Sequence, residues 1–160
     1  EAVQGATGYQ IYRKKGSKVT MIGQTSGTVF LDQNPVSGRS SYYAKAIKGS
    51  LTGKEGSAKK ITLPKATTKV TAKAKTDKTV VLSWKKVKGA TGYLVYRSTK
   101  KNGSYQRIAV LKKGTKCTYN DKKGLKKGMK YYYRIVTVKK KTYSPAKTTK
   151  AVKIKAAKKK

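Results

Sequence analysis

The chain has 160 residues, 36% of them hydrophobic, and 41 Lys plus Arg against 5 Asp plus Glu give a formal charge of +36. It contains no His, one cysteine (Cys117) and one tryptophan (Trp84). These counts exclude His-based triads, Cys/His zinc sites and intramolecular disulfides, and no apolar run approaches the roughly 18 residues of a membrane-spanning helix.

Period-two alternation and β-branched or aromatic content place strands in the first part of the chain near 7–13, 19–24, 27–31, 40–48 and 57–63. Pro64 ends the last of these, since a proline cannot donate to a strand ladder. Residues 64–68 therefore read as a short linker, limiting the bending between the flanking units. Beyond it, strands are expected near 69–75, 79–85, 92–98, 105–111, 115–120, 129–138 and 145–155. The run Thr79-Val-Val-Leu-Ser-Trp84 sets Val80, Leu82 and Trp84 on one face. Tyr93, Val95 and Arg97 alternate with Leu94 and Tyr96, so that strand carries bulk on both faces, as a central strand does. Turn residues punctuate at Thr76-Asp77-Lys78, Lys88-Gly89-Ala90, Lys101-Asn102-Gly103, Lys113-Gly114 and Gly124 to Gly128. Seven short strands about ten residues apart form the pattern of a β-sandwich. No segment has convincing helical spacing, and 156–160 reads as a basic tail.

The chain also repeats itself. Gly-Ala-Thr-Gly-Tyr occurs at Gly5–Tyr9 and at Gly89–Tyr93, and continues as Tyr9-Gln-Ile-Tyr-Arg13 and Tyr93-Leu-Val-Tyr-Arg97. Gly16-Ser17 answers Gly103-Ser104, Phe30-Leu-Asp32 answers Tyr119-Asn-Asp121, and Tyr42-Tyr43 answers Tyr131-Tyr132-Tyr133. A period near 85–90 residues is a whole domain rather than a solenoid unit. Aligned on the pentapeptide, Glu1 falls where Lys85 lies in the second copy. Residues 1–63 thus lack equivalents of the first two strands, including the counterpart of Trp84. Either another polypeptide supplies those strands or the chain is part of a longer one.

The second copy resembles a fibronectin type III domain, in particular the lysine-rich tandem kind of secreted and cell-wall proteins of Gram-positive bacteria. The resemblance rests on Leu82-Ser83-Trp84, Gly89 to Arg97, Asn102-Gly-Ser-Tyr105, Tyr119-Asn-Asp121, Gly128-Met-Lys-Tyr-Tyr-Tyr-Arg-Ile135 and Tyr143-Ser144-Pro145. It covers about 69–155, and residues 3–63 are similar to the same family minus its beginning. Ser40 stands where the second copy has Tyr131, which removes the side chain for a tyrosine corner from the first copy. The expected fold is all-β, with tandem immunoglobulin-like sandwiches, the first lacking two strands. Domains of this family are usually spacers or binding modules appended to something else. The resemblance therefore implies a secreted or wall-associated, extracellular setting and upstream domains as partners.

Trp84, Tyr93, Val95, Tyr119, Tyr131, Tyr133 and Ile135 are expected in the core, with tyrosine hydroxyls meeting backbone groups or water at its edge. Tyr96, Tyr132 and Tyr143 are the candidates for exposed aromatic contacts. Cys117 reads as a buried free thiol, because a catalytic cysteine needs a base. Asp32, Asp77 and Asp121 read as turn-setting carboxylates that accept backbone N–H groups. They lie on separate loops and cannot form a catalytic pair. Gly5-Ala-Thr-Gly8 precedes a strand, the wrong order for a phosphate cradle that opens a helix. No catalytic, metal or cofactor site is therefore expected.

Charge is the remaining signal. Residues 1–64 carry 10 basic and 3 acidic side chains (+7), and residues 65–160 carry 31 and 2 (+29). Such a surface binds polyanions through counterion release. Lys112, Lys113, Lys122, Lys123, Lys126, Lys127, Lys139, Lys140 and Lys141 are the candidate contacts. Lysine outnumbers arginine 36 to 5, which disfavours sequence-specific nucleic-acid reading and favours diffuse attraction to teichoic-acid-like chains, anionic glycans or a membrane surface. A surface that merely keeps the protein soluble and protects strand edges is equally compatible with these counts. The functions open at this stage are a structural spacer or anchor with weak wall-polymer attraction, a glycan- or protein-binding module, and the accessory tail of a secreted enzyme.

Overall fold

A computed structural model describes residues 1–155, and the basic tail 156–160 lies outside the described residues. The chain divides into two compact units, Glu1–Leu63 and Pro64–Lys160. Both are built of antiparallel strands, with no helix among the described residues.

The second unit is a two-sheet sandwich. One sheet orders β10 (Thr118–Asp121), β7 (Thr79–Ser83) and β6 (Thr71–Thr76). The other orders β9 (Gln106–Leu111), β8 (Gly92–Ser98) and β11 (Lys130–Lys139). Along the free edge of β11 lie the short strands β12 (Thr142–Tyr143), β13 (Lys147–Thr148) and β14 (Val152–Lys153). Alternation along β7, β8 and β11 sends Val80, Leu82, Tyr93, Val95, Tyr133 and Ile135 inward, each fully buried. Trp84 is 6% exposed, and its ring meets that of Tyr93 edge-on with centroids 5.3 Å apart. Such T-shaped pairs add to the area each ring buries. Tyr131 is buried and Tyr119 half-buried against the same core. Cys117 is a free thiol packed at its margin, half-buried rather than enclosed.

The last strand differs from the expected single run over 145–155. Pro145 has no N–H for the ladder, and the edge breaks into two-residue pieces. Side-chain hydroxyls fill the gaps: Ser144 Oγ accepts from Thr137 N at 2.9 Å, and Thr149 Oγ1 from Tyr133 N at 3.1 Å. Residues 64–68 are not a free linker either. Pro64 begins the second unit, and Thr67, 1% exposed, donates its hydroxyl to Lys85 O at 2.6 Å.

The first unit forms one sheet. It orders β2 (Lys18–Thr25), β1 (Gly8–Lys15), β3 (Gly38–Lys48) and β4 (Leu51–Glu55), with β5 (Lys59–Leu63) also pairing β3. The expected strand at 27–31 does not form. Its counterpart β10 owes its ladder to β7, with Tyr119 opposite Leu82. Among the described residues of the first unit no strand stands in that place, so 26–37 crosses the sheet as a loop. Val29 and Leu31 remain 82% and 70% exposed, while Phe30 lies half-buried over Gly23. Strand β4 was not anticipated, because Leu-Thr-Gly-Lys-Glu has no alternation and every one of its residues is exposed.

Ordering a residue costs about 1–2 kcal/mol in backbone entropy, and a single sheet with one loop over its inner face recovers little of it. Residues 64–160 expressed alone should unfold in one cooperative denaturant transition as a monomer. Residues 1–63 alone should show no such transition or should self-associate. Sedimentation combined with circular dichroism reads both outcomes, and cooperative unfolding of monomeric 1–63 would refute the second.

Candidate functional site

The repeated pentapeptide is a latch in both units. Gly5 and Gly89 turn the chain at φ +76° and +75°, where a side chain would be strained. Ala6 N then bonds Val3 O and Ala90 N bonds Val87 O, each at 3.1 Å. Thr7 N and Thr91 N join Ile47 O and Val138 O at 2.8 Å, and each threonine hydroxyl donates to the same carbonyl. At the end of the motif the tyrosine hydroxyl folds back on the turn: Tyr9 Oη accepts from Val3 N at 2.7 Å and Tyr93 Oη from Val87 N at 3.0 Å. The second glycine lets the neighbouring strand pass, since a Cβ on Gly92 would run into Leu111 O. The threonine and tyrosine hydroxyls of the motif are all bonded within the fold.

A second duplicated feature centres on Asp32 and Asp121. Asp121 Oδ2 accepts from Arg97 Nη1 and from Tyr133 Oη, both at 2.9 Å, while Oδ1 takes Lys123 N at 3.4 Å. Arg97 Nη1 also donates to Lys123 O at 2.6 Å. In the first unit, Asp32 Oδ2 takes Arg13 Nη1 at 2.7 Å and Tyr42 Oη at 2.9 Å, Oδ1 takes Asn34 N at 2.9 Å, and Arg13 reaches Asn34 O at 2.8 Å. The turn-setting role read from sequence is present in both. Sequence reasoning missed the arginines, although Arg13 and Arg97 end the two copies of the repeated segment and could have been paired with the repeated aspartates. Asp77 corrects the third assignment: it pairs with Lys127 at 3.2 Å, and the hydroxyl of Thr76 accepts Lys78 N in the turn.

These surroundings fix the proton affinities. Burial alone would raise the Asp32 carboxyl, but bonds from Asn34, Tyr42 and Arg13 outweigh it and hold it below the usual carboxylate range. Burial, reinforced by the charge of Asp121, pushes the Tyr133 hydroxyl far above its ordinary value of 10.0. A carboxylate saturated with donors and a phenol that resists ionisation are parts of a clamp rather than of a proton-transfer pair. No group of three or more metal-ligating side chains occurs among the described residues.

Tyr131 completes a tyrosine corner, its hydroxyl accepting Lys126 N at 2.9 Å. Ser40, in its place in the first unit, is buried with its hydroxyl unbonded. Of the three tyrosines expected at the surface, only Tyr143 is exposed, at 53%. Tyr96 and Tyr132 are half-buried; Tyr96 lies between the long side chains of Arg107 and Arg134 on the adjacent strands. The only parallel ring pair among the described residues, Tyr12–Tyr43, stacks on itself with centroids 5.2 Å apart, and Tyr43 is 8% exposed. It offers no open pair of ring faces to a sugar.

The nine candidate lysines are all exposed, but they fall into two groups. Tyr93 stands opposite both Leu111 and Thr137, so Lys112, Lys113, Lys139, Lys140 and Lys141 gather at one end of the sheet. Lys122, Lys123, Lys126 and Lys127 precede β11 at its other end, about 30 Å away for a strand of this length, and Lys127 is occupied by Asp77.

Asp121→Asn should destabilise the second unit by about 3–5 kcal/mol, since it strands a partly buried guanidinium. Asp32→Asn should cost clearly less, its side chain being 16% exposed against 2%. Chemical denaturation of the full chain reads both. Tyr133 has its proton affinity raised by folding, so its contribution is whole below about pH 10 and is lost as pH climbs beyond it. The stability difference between wild type and Tyr133→Phe should stay constant to about pH 10 and shrink above, a comparison that cancels the discharge of lysines. A difference that grows with pH would contradict this.

Comparison with known proteins agrees with the geometry. The fibronectin type III domain profile matches residues 64–152. An Fn3-like protein from Clostridium thermocellum is 27% identical over 61% of this chain and all of its own, with a TM-score of 0.51. A two-domain fibronectin type III segment of chicken tenascin shares the fold at 19% identity and TM-score 0.51, covering 95% of this chain and 87% of its own. An amylopullulanase from Thermoanaerobacterium saccharolyticum is 40% identical over 78 residues, which is 49% of this chain and 6% of that protein. A duplicated latch, a carboxylate clamp and a sandwich with this profile place the chain in the fibronectin type III family.

Proposed function

We propose that the chain is a non-catalytic structural module of a larger extracellular protein, spacing or anchoring other domains while its second unit is drawn to anionic wall polymers. The observation that carries this reading is the distribution of charge over a rigid frame. Residues 65–160 hold 31 basic side chains against 2 acidic ones, and every described lysine of the second unit is exposed. The two carboxylates pair with Arg97 and Lys127 inside the unit, so they offset only two of the 31 positive charges and the field of the rest stands. The hydroxyls of the latch and the charged groups of the clamp are bonded within the fold, which supports a structural part rather than a catalytic one. Lysines at two ends of the sheet suit a long, flexible polyanion better than a compact ligand, because each contact is a screened point charge.

A second reading has its own support. The amylopullulanase match favours an accessory segment of a carbohydrate-acting enzyme, in which the module would hold the enzyme near its surroundings without touching the reaction.

Residues 64–160 should be retained on heparin or polyphosphate at low salt and elute by about 0.5 M, with little discrimination between polymers of equal charge density. Salt-insensitive retention on one uncharged sugar would replace the electrostatic reading with a lectin-like site.

A further inference from the structure

The outward face of the β9–β8–β11 sheet is chemically unlike the rest of the surface. Residues directly opposed on adjacent strands share a face. The register therefore sets Val110, Leu94 and Val136 in one row, and Arg107, Tyr96, Arg134 and Thr148 in the next. Val110 is 51% exposed and Val136 half-buried, while Leu94 between them is 9% exposed. Residues 65–160 contain 3 arginines among 28 lysines; Arg97 belongs to the buried clamp, and both of the others lie on this face.

Arg134 is held in place. Its guanidinium carbon lies 3.9 Å from the centroid of the Tyr105 ring, and Nε donates to Thr148 Oγ1 at 3.4 Å. Tyr105 is itself fixed by donating its hydroxyl to Lys101 O at 2.9 Å. A guanidinium stacked by its face keeps in-plane N–H donors at its edge, where they match the two oxygens of a carboxylate. No acid within the unit supplies one: Asp77 is taken by Lys127 and Asp121 by Arg97 and Tyr133. Arg107 and Arg134 flank Tyr96 at two strand spacings, about 10 Å apart.

We propose that this face docks an extended polypeptide segment of a partner in which carboxylates alternate with apolar side chains. The carboxylates meet Arg107 and Arg134, and the apolar side chains lie on Val110 and Val136, the accessible ends of the neighbouring row. A lysine surface is enough for diffuse attraction. Two arginines beside the exposed Val110 and the half-buried Val136 supply planar, paired donors and apolar contact together, and that combination fits a polypeptide better than a uniform polyanion. The site goes beyond the diffuse attraction proposed above and does not depend on charge density.

The test uses the full chain at about 0.15 M salt, where screening acts within roughly 8 Å. Calorimetry is run with a soluble synthetic peptide alternating glutamate and valine, a control peptide with serine for valine, and polyphosphate. The alternating peptide should saturate one site, and Arg134→Lys and Arg107→Lys should each weaken it about tenfold, as expected for a charge-assisted pair. The serine control should bind several-fold more weakly, and both Arg→Lys variants should keep heparin retention within about twofold of wild type. Arg107 is exposed, so its variant tests the site even where Arg134→Lys disturbs the stack on Tyr105. Wild-type peptide binding by both variants would overturn the proposal. So would an equal loss on changing Lys112 and Lys113 to Gln. Polyphosphate weakened tenfold by the same Arg→Lys changes would show a phosphate polymer as the occupant and overturn the polypeptide. Loss of heparin retention alone, with peptide binding intact, would remove only the diffuse attraction.

Discussion

The second unit turns on one buried carboxylate. Asp121, 2% exposed, sits at the end of β10 in one sheet and binds Arg97 on β8 and Tyr133 on β11 in the other. Sandwich sheets otherwise adhere through non-directional apolar contact. The clamp adds a directional, charge-assisted tie between them, and leaving any member unpaired is costly. Around it the core is apolar and aromatic, with Leu82, Tyr93, Ile135 and Trp84 closing the space between sheets. With cohesion settled inside, the outside can be given over to lysine despite the self-repulsion that such a surface brings.

The first unit shows what the same clamp does without a second sheet. Arg13, Asp32 and Tyr42 repeat the bonds of Arg97, Asp121 and Tyr133 within a few tenths of an ångström. Asp32, however, lies on a loop rather than on a strand, and its surroundings are wetter. The arrangement is thus local in origin: it comes from the arginine that ends the repeated segment and from the aspartate and tyrosine that follow. Pairing of 28–32 as a strand is not local, because it depends on a neighbour such as β7.

Much of this was legible in sequence because strand alternation and the repeat are local signals. β8 could be read as a central strand from bulk on both of its faces, and Val80, Leu82 and Trp84 as core from their spacing. The failures share one cause. Strand 27–31 was read from its own composition, while its formation depends on a distant partner. β4 is a strand only because β3 lies beside it, and the final strand breaks where Ser144 and Thr149 bond in place of backbone. Tyr96 and Tyr132 looked exposed because the coverage of a strand residue comes from its neighbours across the sheet. The lysines suggested one basic surface, whereas strand register parts them into two ends and reserves the face between for Arg107 and Arg134.

Native-state hydrogen exchange on the whole chain measures the difference between the two copies most directly. The β10 amides that bond to β7, within Thr118–Asp121, should exchange only through sub-global or global opening of the second unit. Amides of 28–32, the repeat counterparts, should exchange close to the rate of an unprotected chain, while β1 and β3 keep intermediate protection. Equal, strong protection of 28–32 and 118–121 would contradict the account, because it would mean that the first unit also closes a second sheet over its clamp.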